Sequence, residues 1–443
     1  MYHGRFKGSH YECGYHWGAL LYKNNKIITN QATFIINDKR KTFVKKCIPI
    51  YQKYYPEILN EIKGIADGQK ISYEEMLTFL LSMYCFEFNN RCTCLAISDE
   101  SNIVFGRNSD FLIELEKLYM NCLYSLDNGY AFNANTTAFV EMEDGVNEYG
   151  LAVGLTFIYP QNIIPGFNAG MLVRYLLEKC KTVKEAISFL KEVPIASNQT
   201  ITLADSVGDI VVVECNSQKV VIINPLENEN FVVATNNFNS LQMKKYFHYN
   251  IDDWNSSLRN QVANQTLKTN HLSKKLVFEI LSGKYGFMCQ YDRKKGADTV
   301  WSVVYDLKNK KIHTFIEKKY EAFSLNVDKR YIWINDGENP NTKTASGKVP
   351  VIDTKTGKNH LVHLDGIESA KARITEDGKY MIAASQTDEK SFRVRQYDIK
   401  NEKVLKEKKY DFHKSVHVND IISINNGKSY GIIYSTDQGD KLE

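Results

Sequence analysis

The hydrophobic period of this chain changes once, at about Asn90, and that change constrains the fold more than any other feature. Before it the chain reads as mostly helical. Ser72 and Glu75 have capping-box spacing, with Ser72 as N-cap. Met76, Leu77, Phe79, Leu80, Leu81 and Met83 follow, apolar enough to predict a buried helix. Another helical stretch is expected over about 26–63. After Asn90 the pattern is that of strands. Residues 92–98 and 103–108 read as two strands around Asp99-Glu100-Ser101-Asn102, which has turn chemistry. Strands are also expected at 139–142, 147–150 and 151–157. A helical section over 170–191 carries a second capping box at Thr182 and Glu185. A meander follows through 201–204, 209–215, 220–224 and 231–235. A helix near 271–281 and strands at 299–306 and 311–317 complete the pattern. Antiparallel strands interrupted by helices predict an α+β layered domain, not a doubly wound one.

From about Lys318 the character differs again. Asp328-Lys-Arg-Tyr331-Ile-Trp-Ile, Asp377-Gly-Lys-Tyr380-Met-Ile-Ala and Asn426-Gly-Lys-Ser-Tyr430-Gly-Ile-Ile resemble one another, with tyrosines 49 and 50 residues apart. Strand-turn elements at 351–358 and 397–403 lie between them. A repeat near 50 residues with several strands per copy is the signature of propeller blades. Only about two and a half copies are present, against the ~4–8 blades of a closed propeller. The tail is therefore a fragment, an open β-meander domain or half of something completed in trans. A plain antiparallel β domain with chance similarity is the alternative.

Composition excludes several function classes. Among 443 residues, 56 Lys and Arg face 52 Asp and Glu, a net of +4. That balance leaves no electrostatic footprint for nucleic acid. No apolar run reaches the ~20 residues of a membrane span. The opening Met1-Tyr-His-Gly-Arg-Phe-Lys lacks the apolar stretch of a secretory signal. The 9 cysteines, scattered from Cys13 to Cys289, do not form a dense scaffold, so buried free thiols and a cytoplasmic location are expected.

The common catalytic motifs are missing: there is no G-x-S-x-G, no H-E-x-x-H and no P-loop. No histidine occurs between His16 and His248. Cys92-x-Cys94 has no second Cys/His pair at zinc spacing, so neither metal nor cofactor is expected. The hairpin at 92–110 is the informative part. With its turn near 99–102, residue i faces about 200 minus i, which sets Cys92 beside Asn108 with Arg107 and Asp110 close by. Arg107 is expected to lower the thiol pKa. Asp110 pairs with Arg107 or binds an ammonium. The alternative is a strand-end salt bridge beside an inert cysteine. A cysteine nucleophile without histidine can use its own free α-amino group, whose unperturbed pKa is roughly 7.7–8.0. That requires cleavage between Arg91 and Cys92.

Arg91-Cys92-Thr93-Cys94-Leu95-Ala96-Ile97 followed by Phe105-Gly106-Arg107-Asn108-Ser109-Asp110 resembles the nucleophile hairpin of the N-terminal-nucleophile (Ntn) cysteine hydrolases. These include choloylglycine hydrolases, penicillin V acylases and isopenicillin N acyltransferases. Asp144-Gly145-Val146-Asn147-Glu148-Tyr149-Gly150-Leu151 is similar to the family's D-G-x-N-E-x-G-L stretch, and Val233-Ala234-Thr235-Asn236-Asn237-Phe238 to the strand ending in its T-N pair. The segment from Gly8 to Gly18 resembles the leader of the acyltransferase branch. The resemblance covers 1–318 and not the tail.

It implies an αββα four-layer sandwich with Cys92 at the start of a central strand. A helical pro-segment over 1–91 stays packed on a core over 92–318, with the β-repeat tail over 319–443. Cys92 is freed by autocatalytic cleavage after Arg91 and attacks an amide carbonyl. Asp110 holds its ammonium, Arg107 sits against the thiol, and Asn236 binds the oxyanion. The oxyanion asparagine of bile salt hydrolases falls on Thr156, and the later active-site arginine has a loose counterpart in Arg259. The implied reaction cleaves the linear, non-peptide amide of a small N-acyl compound. Acyl transfer to an amine is the near alternative. A non-catalytic binding or scaffold protein using the β tail, with a β-edge partner or as a homo-oligomer, and a conventional Cys–His peptidase are the others.

Overall fold

The computed structural model describes residues 2–27, 36–86, 91–247, 253, 255–288, 296–315, 323–328, 331–336, 348–353, 356, 358–363, 371–425, 427–436 and 439–442. The chain divides into two compact units, Met1–Lys308 and Asn309–Glu443.

The first unit is the four-layer α+β sandwich. It opens on a strand, β1 (Tyr2–Gly8), which the mostly helical reading of this segment did not include. Four helices follow: α1 (His10–Lys23), α2 (Asp38–Tyr54), α3 (Pro56–Gln69) and α4 (Tyr73–Ser82). The helix expected over 26–63 is thus two helices, restarted at Pro56, while 28–35 lie outside the described residues. Proline fits the first turn of a helix because it has no N–H to leave orphaned. Ser72 occupies the N-cap of α4, but its side chain makes no capping bond. The full capping box is at Ser9 and Glu12 instead, at the start of α1.

Next come β2 (Arg91–Ser98), β3 (Ile103–Leu112), β4 (Met120–Leu126), β5 (Phe132–Thr136), β6 (Asp144–Asn147) and β7 (Ala152–Phe157). Residues 139–142, expected as a strand, form a turn, with Phe139 at φ +60°. The section at 170–191 is two helices, α5 (Ala169–Lys179) and α6 (Val183–Glu192), with Thr182 capping the second. The meander is β8 (Gln199–Ala204), β9 (Ile210–Cys215), β10 (Val220–Ile223) and β11 (Phe231–Ala234). Helix α7 (Ser256–Thr269) has no counterpart in the sequence reading; α8 (Lys274–Leu281) and β12 (Ala297–Asp306) do.

One sheet runs β1-β4-β5-β6-β7-β8-β9-β10, and the facing sheet of this unit runs β11-β2-β3-β12. Helices α1–α6 share one hydrophobic core with the first sheet; α7 and α8 cover the second through Ala263, Leu267, Leu276, Val277 and Ile280 packed on Leu95, Ile97, Val104 and Val304. Strand β1 lies parallel to β4 in register from Tyr2↔Met120 to Gly8↔Leu126, so residues 2–8 are part of the core sheet.

Helices α1 and α3 approach at backbone contact. A Cβ on Gly14 would lie 2.0 Å from the Glu61 carbonyl oxygen, and one on Gly64 2.2 Å from that of Tyr11. A buried ionic cluster bridges the helical layer to α5 and β4. Arg174 lies 2.7 Å from Glu61 and 3.3 Å from Glu178, His10 Nε2 is 3.0 Å from Glu178, and Tyr124 donates to Glu61 at 2.9 Å. Tyr55 donates to Glu178 as well. Burial pushes the Glu178 carboxyl up, but His10, Arg174 and Tyr55 outweigh it and hold it at about 2.

The second unit is all-β. Strands β13 (Lys311–Phe315), β14 (Phe323–Asp328), β15 (Tyr331–Asp336), β16 (Lys348–Asp353) and β17 (Asn359–His363) follow one another as antiparallel neighbours. A four-stranded sheet holds β18 (Lys371–Ile374), β19 (Tyr380–Asp388), β20 (Ser391–Asp398) and β21 (Lys403–Asp411). A three-stranded sheet holds β22 (Val416–Ile424), β23 (Ser429–Thr436) and β24 (Gly439–Leu442). The repeat's Gly378 and Gly427 sit in equivalent hairpin turns at φ +69° and +79°, backbone that a side chain rarely adopts.

Candidate active site

The hairpin β2–β3 carries the candidate nucleophile. Its register is Cys92↔Ser109, Thr93↔Asn108 and Cys94↔Arg107, so residue i faces 201 minus i, one residue from the expected pairing. The loop has four residues, 99–102, and its centre falls between Glu100 and Ser101. The difference matters because paired residues share a face and a slip of one inverts it. In the observed register Arg107 and Ser109 lie on the face of Cys92 and Cys94. Asp110 lies opposite Arg91 on the other face.

Arg107 Nη2 is 2.8 Å from Cys92 Sγ, and both side chains are fully buried. The same guanidinium donates to Asp144 Oδ2 at 2.8 Å, to Glu143 Oε2 at 3.3 Å and to the Leu155 carbonyl at 3.0 Å. Each acid is itself supported. Asp144 accepts from Trp301 Nε1, Asn135 Nδ2 and the Tyr305 hydroxyl. Glu143 accepts from Ser109 and Thr137. Burial pushes the Cys92 thiol well above its ordinary range, and Arg107 opposes this without overcoming it. The lowering expected of Arg107 is present, but burial outweighs it, so the thiol of the intact chain is protonated and not the thiolate. Cys94 is pushed up to about 12 for the same reason.

The backbone of Cys92 is held from the opposite side. Its N–H donates to Asn236 Oδ1 at 2.9 Å. Its carbonyl accepts from Arg259 Nη1 at 2.7 Å. Arg259, on α7, also donates to Thr93 Oγ1 and Asn236 Oδ1, and its Nη1 lies 3.8 Å from Asp110 Oδ2. Arg259 is fully buried. Asn236 Nδ2 donates to the Phe157 carbonyl at 2.7 Å. Thr156 is one step further out, its hydroxyl donating to the Thr235 carbonyl at 2.7 Å. Asp110 accepts from Thr299 Oγ1 at 2.6 Å, while its Oδ2 is buried without a hydrogen bond. Burial raises its carboxyl to about 6 against the pull of Arg259 and Thr299.

Cys92, Arg107, Asn236 and Arg259 thus form one hydrogen-bonded group, with Asp110 joined through Arg259. The sequence reading did not single out Glu143, Thr93, Ser109, Trp301 or Tyr305, and used Asp144 only as part of a motif. One signal was available: Glu143 and Asp144 are consecutive acids, and a buried arginine needs such partners. The arrangement offers a thiol with a cation against it, a carboxyl without a full complement of donors, and a side-chain amide at the same backbone nitrogen.

A family model described as acyl-coenzyme A:6-aminopenicillanic acid acyl-transferase matches residues 97–320, beginning just after Cys92. No curated protein sequence matches the chain. Among solved structures, the penicillin V acylase from Agrobacterium tumefaciens is similar at 17% identity and TM-score 0.41, covering 59% of this chain and 91% of that one. A variant of the conjugated bile acid hydrolase from Clostridium perfringens is similar at 14% identity and TM-score 0.37, covering 53% and 92%. The β-propeller domain of the Trilobed protease from Pyrococcus furiosus is similar at 14% identity and TM-score 0.20, covering 35% and 51%. With half of its length matched by that family model and its first unit built as an αββα sandwich, the chain belongs to the acyl-coenzyme A:6-aminopenicillanic acid acyl-transferase family of the Ntn class.

Proposed function

We propose that the protein is a self-processing cysteine amidohydrolase that cleaves the linear amide of a small N-acyl compound through an acyl-enzyme on Cys92. The observation that carries the reading is the grip on Cys92 from both sides: Arg107 on the thiol, Asn236 and Arg259 on the backbone. In the first step Sγ attacks the Arg91 carbonyl carbon and the C–N bond breaks. Cys92 is left with a free amine and Arg91 as a thioester, which water hydrolyses to a carboxylate. The amine then takes the thiol proton during attack on the substrate carbonyl and gives it to the leaving amine. Water, or a second amine in the acyltransferase variant, releases the acyl group. Asp110, with an unbonded buried oxygen, is suited to receive the new ammonium. Asn236 Nδ2 has one hydrogen on Phe157 and a second for the oxyanion, a donor typically worth about 10²–10³ in rate.

On this reading 1–91 is the pro-segment, 92–318 the catalytic core and 319–443 the tail. A cytoplasmic location fits the eight described cysteines, all free and buried. Intact mass spectrometry under denaturing conditions tests the proposal. The expected result is two species, 1–91 and a chain beginning at Cys92, with Cys92→Ala uncut and inactive and Cys94→Ala cut and active. A Cys92→Ala protein that still turns over N-acyl amides would sink it. A single full-length wild-type species with no activity would instead favour a non-catalytic binding protein.

A further inference from the structure

Self-cleavage raises a proton requirement that later turnover does not. In the intact chain the Cys92 nitrogen is an amide, so the amine that serves as base during turnover does not yet exist. Burial meanwhile keeps the Cys92 thiol protonated. Another group must take the thiol proton before the Arg91–Cys92 bond is cut.

Among the described residues, three acids stand around Cys92. Asp110 lies on the other face of the hairpin, opposite Arg91, and joins the group through Arg259. Asp144 accepts from Arg107, Trp301, Asn135 and Tyr305. Arg107 touches the thiol but cannot be deprotonated, and the other three, on β5 and β12, are not hairpin neighbours of Cys92. Glu143 is placed differently. Its Oε2 lies 3.3 Å from Arg107 Nη2, the nitrogen that is 2.8 Å from Sγ. The same oxygen accepts from Ser109 Oγ at 3.0 Å. Ser109 is directly across the hairpin from Cys92, on the same face, and both are fully buried. Opposed side chains of an antiparallel pair have Cβ atoms about 4.5–5.5 Å apart, which lets a thiol and a hydroxyl meet. Thr137 donates to the other oxygen of Glu143 through its hydroxyl and its N–H, so Oε2 is held toward Ser109. Glu143 also acts on the thiol more strongly than Asp110 does.

We propose that Glu143 accepts the Cys92 thiol proton during self-cleavage, through the Ser109 hydroxyl, an assignment that rests on the cysteine-nucleophile reading above. Ser109 gives its hydrogen to Glu143 Oε2 as its oxygen takes the one from Sγ. Sγ bonds to the Arg91 carbonyl carbon and the C–N bond breaks. The proton returns to the Cys92 nitrogen, which becomes the free amine, and Glu143 is a carboxylate again. From then on the amine is the nearer acceptor, so turnover depends on the Ser109–Glu143 pair less than cleavage does.

Cell-free synthesis of the full chain, sampled over time by denaturing intact mass spectrometry, tests this. Glu143→Gln is expected to slow cleavage by about 10²–10⁴, the usual worth of a positioned base. Its remaining rate should climb about tenfold per pH unit, as hydroxide supplies the missing acceptor, where the wild-type rate climbs less steeply. Arg107, Asp144, Cys92, Glu141, Tyr84 and Tyr119, the ionisable groups around Glu143, are common to both proteins, so the difference between the profiles belongs to Glu143. Ser109→Ala keeps the carboxylate and should slow cleavage at least about tenfold. It decides the matter alone if Glu143→Gln loses the wild-type near-ultraviolet circular dichroism. In both variants cleavage should fall by a larger factor than turnover per cut chain. Cleavage of both variants at the wild-type rate, or equal losses of cleavage and turnover with a wild-type pH profile, would overturn the proposal and leave Cys92 as the nucleophile. A wild-type chain that is never cut would overturn it together with the reading on which it rests.

Discussion

Replacing Arg107 with methionine is the change this site should tolerate least. The guanidinium is the shared partner of the Cys92 thiol, Asp144, Glu143 and the Leu155 carbonyl, with no exposure to water. Methionine fills much of the same volume, yet it leaves two buried acids on consecutive residues with no opposite charge beside them. Removing one partner of a buried pair costs about 3–5 kcal/mol. Asp144 keeps Trp301, Asn135 and Tyr305 as donors, and Glu143 keeps Ser109 and Thr137, so the loss should fall near the lower end, about 3 kcal/mol. Asp144→Asn alone should cost about 1–3 kcal/mol, because its new amide meets donors where a carboxylate met them. In the double variant one unpaired charge is gone, and the two losses should fall short of their sum by about 1–3 kcal/mol. The cycle is best measured on a Cys92→Ala background, so that processing cannot differ among the four proteins. Denaturant unfolding followed by near-ultraviolet circular dichroism supplies the free energies. Losses that add to within about 0.5 kcal/mol would refute the idea that Asp144 and Arg107 act as a unit.

Two further outcomes are expected. Asp110 has a folded pKa of about 6, raised above its unfolded value, so the uncut protein gains stability as pH falls through about 6 and the gain is complete below the ordinary aspartate range. Asp110→Asn in the Cys92→Ala protein should raise stability at neutral pH and remove that part of the pH dependence; a pH profile identical to the parent's would contradict it. Gly64→Ala places a methyl 2.2 Å from the Tyr11 carbonyl oxygen, and the clash should cost about 1–3 kcal/mol despite alanine's better helix propensity. An unchanged or higher melting temperature would show that α1 and α3 can separate at little cost.

Much of this fold is legible in the residues. Turn chemistry at Asp99–Asn102 locates the hairpin, and the ordered motifs around Cys92, Asp144 and Asn236 bring together groups that are 144 residues apart. The misses have physical causes. The hairpin register turns on whether a four-residue loop is centred on a residue or on a bond, and that half-step decides the face on which Arg107 lies. Strand β1 escapes notice because an edge strand of mixed polarity has no apolar signature; its partner β4 supplies the order. The capping box at Ser9 is as plain in spacing as the one at Ser72, yet only the first is bonded, because spacing does not fix side-chain rotamers. Helix α7 is weakly amphipathic, and the burial of Arg259 follows from partners on three other segments, which no local pattern encodes.

The pairing of β1 with β4, together with the Glu61–Arg174–Glu178–His10 cluster, has a consequence for what a cut at Arg91–Cys92 would produce. While the peptide bond is whole, residues 1–91 are held against the core as an intramolecular neighbour, and dilution cannot matter. Once the bond is broken, the same contacts become the interface of a two-chain complex governed by a dissociation constant. Its seven-residue strand register and buried charges must then resist mass action unaided. Loss of the first chain would uncover the edge of β4 and leave the Glu178 carboxylate and Arg174 without Glu61 and His10. The lifetime of the cut protein would then be set by its concentration as much as by its temperature.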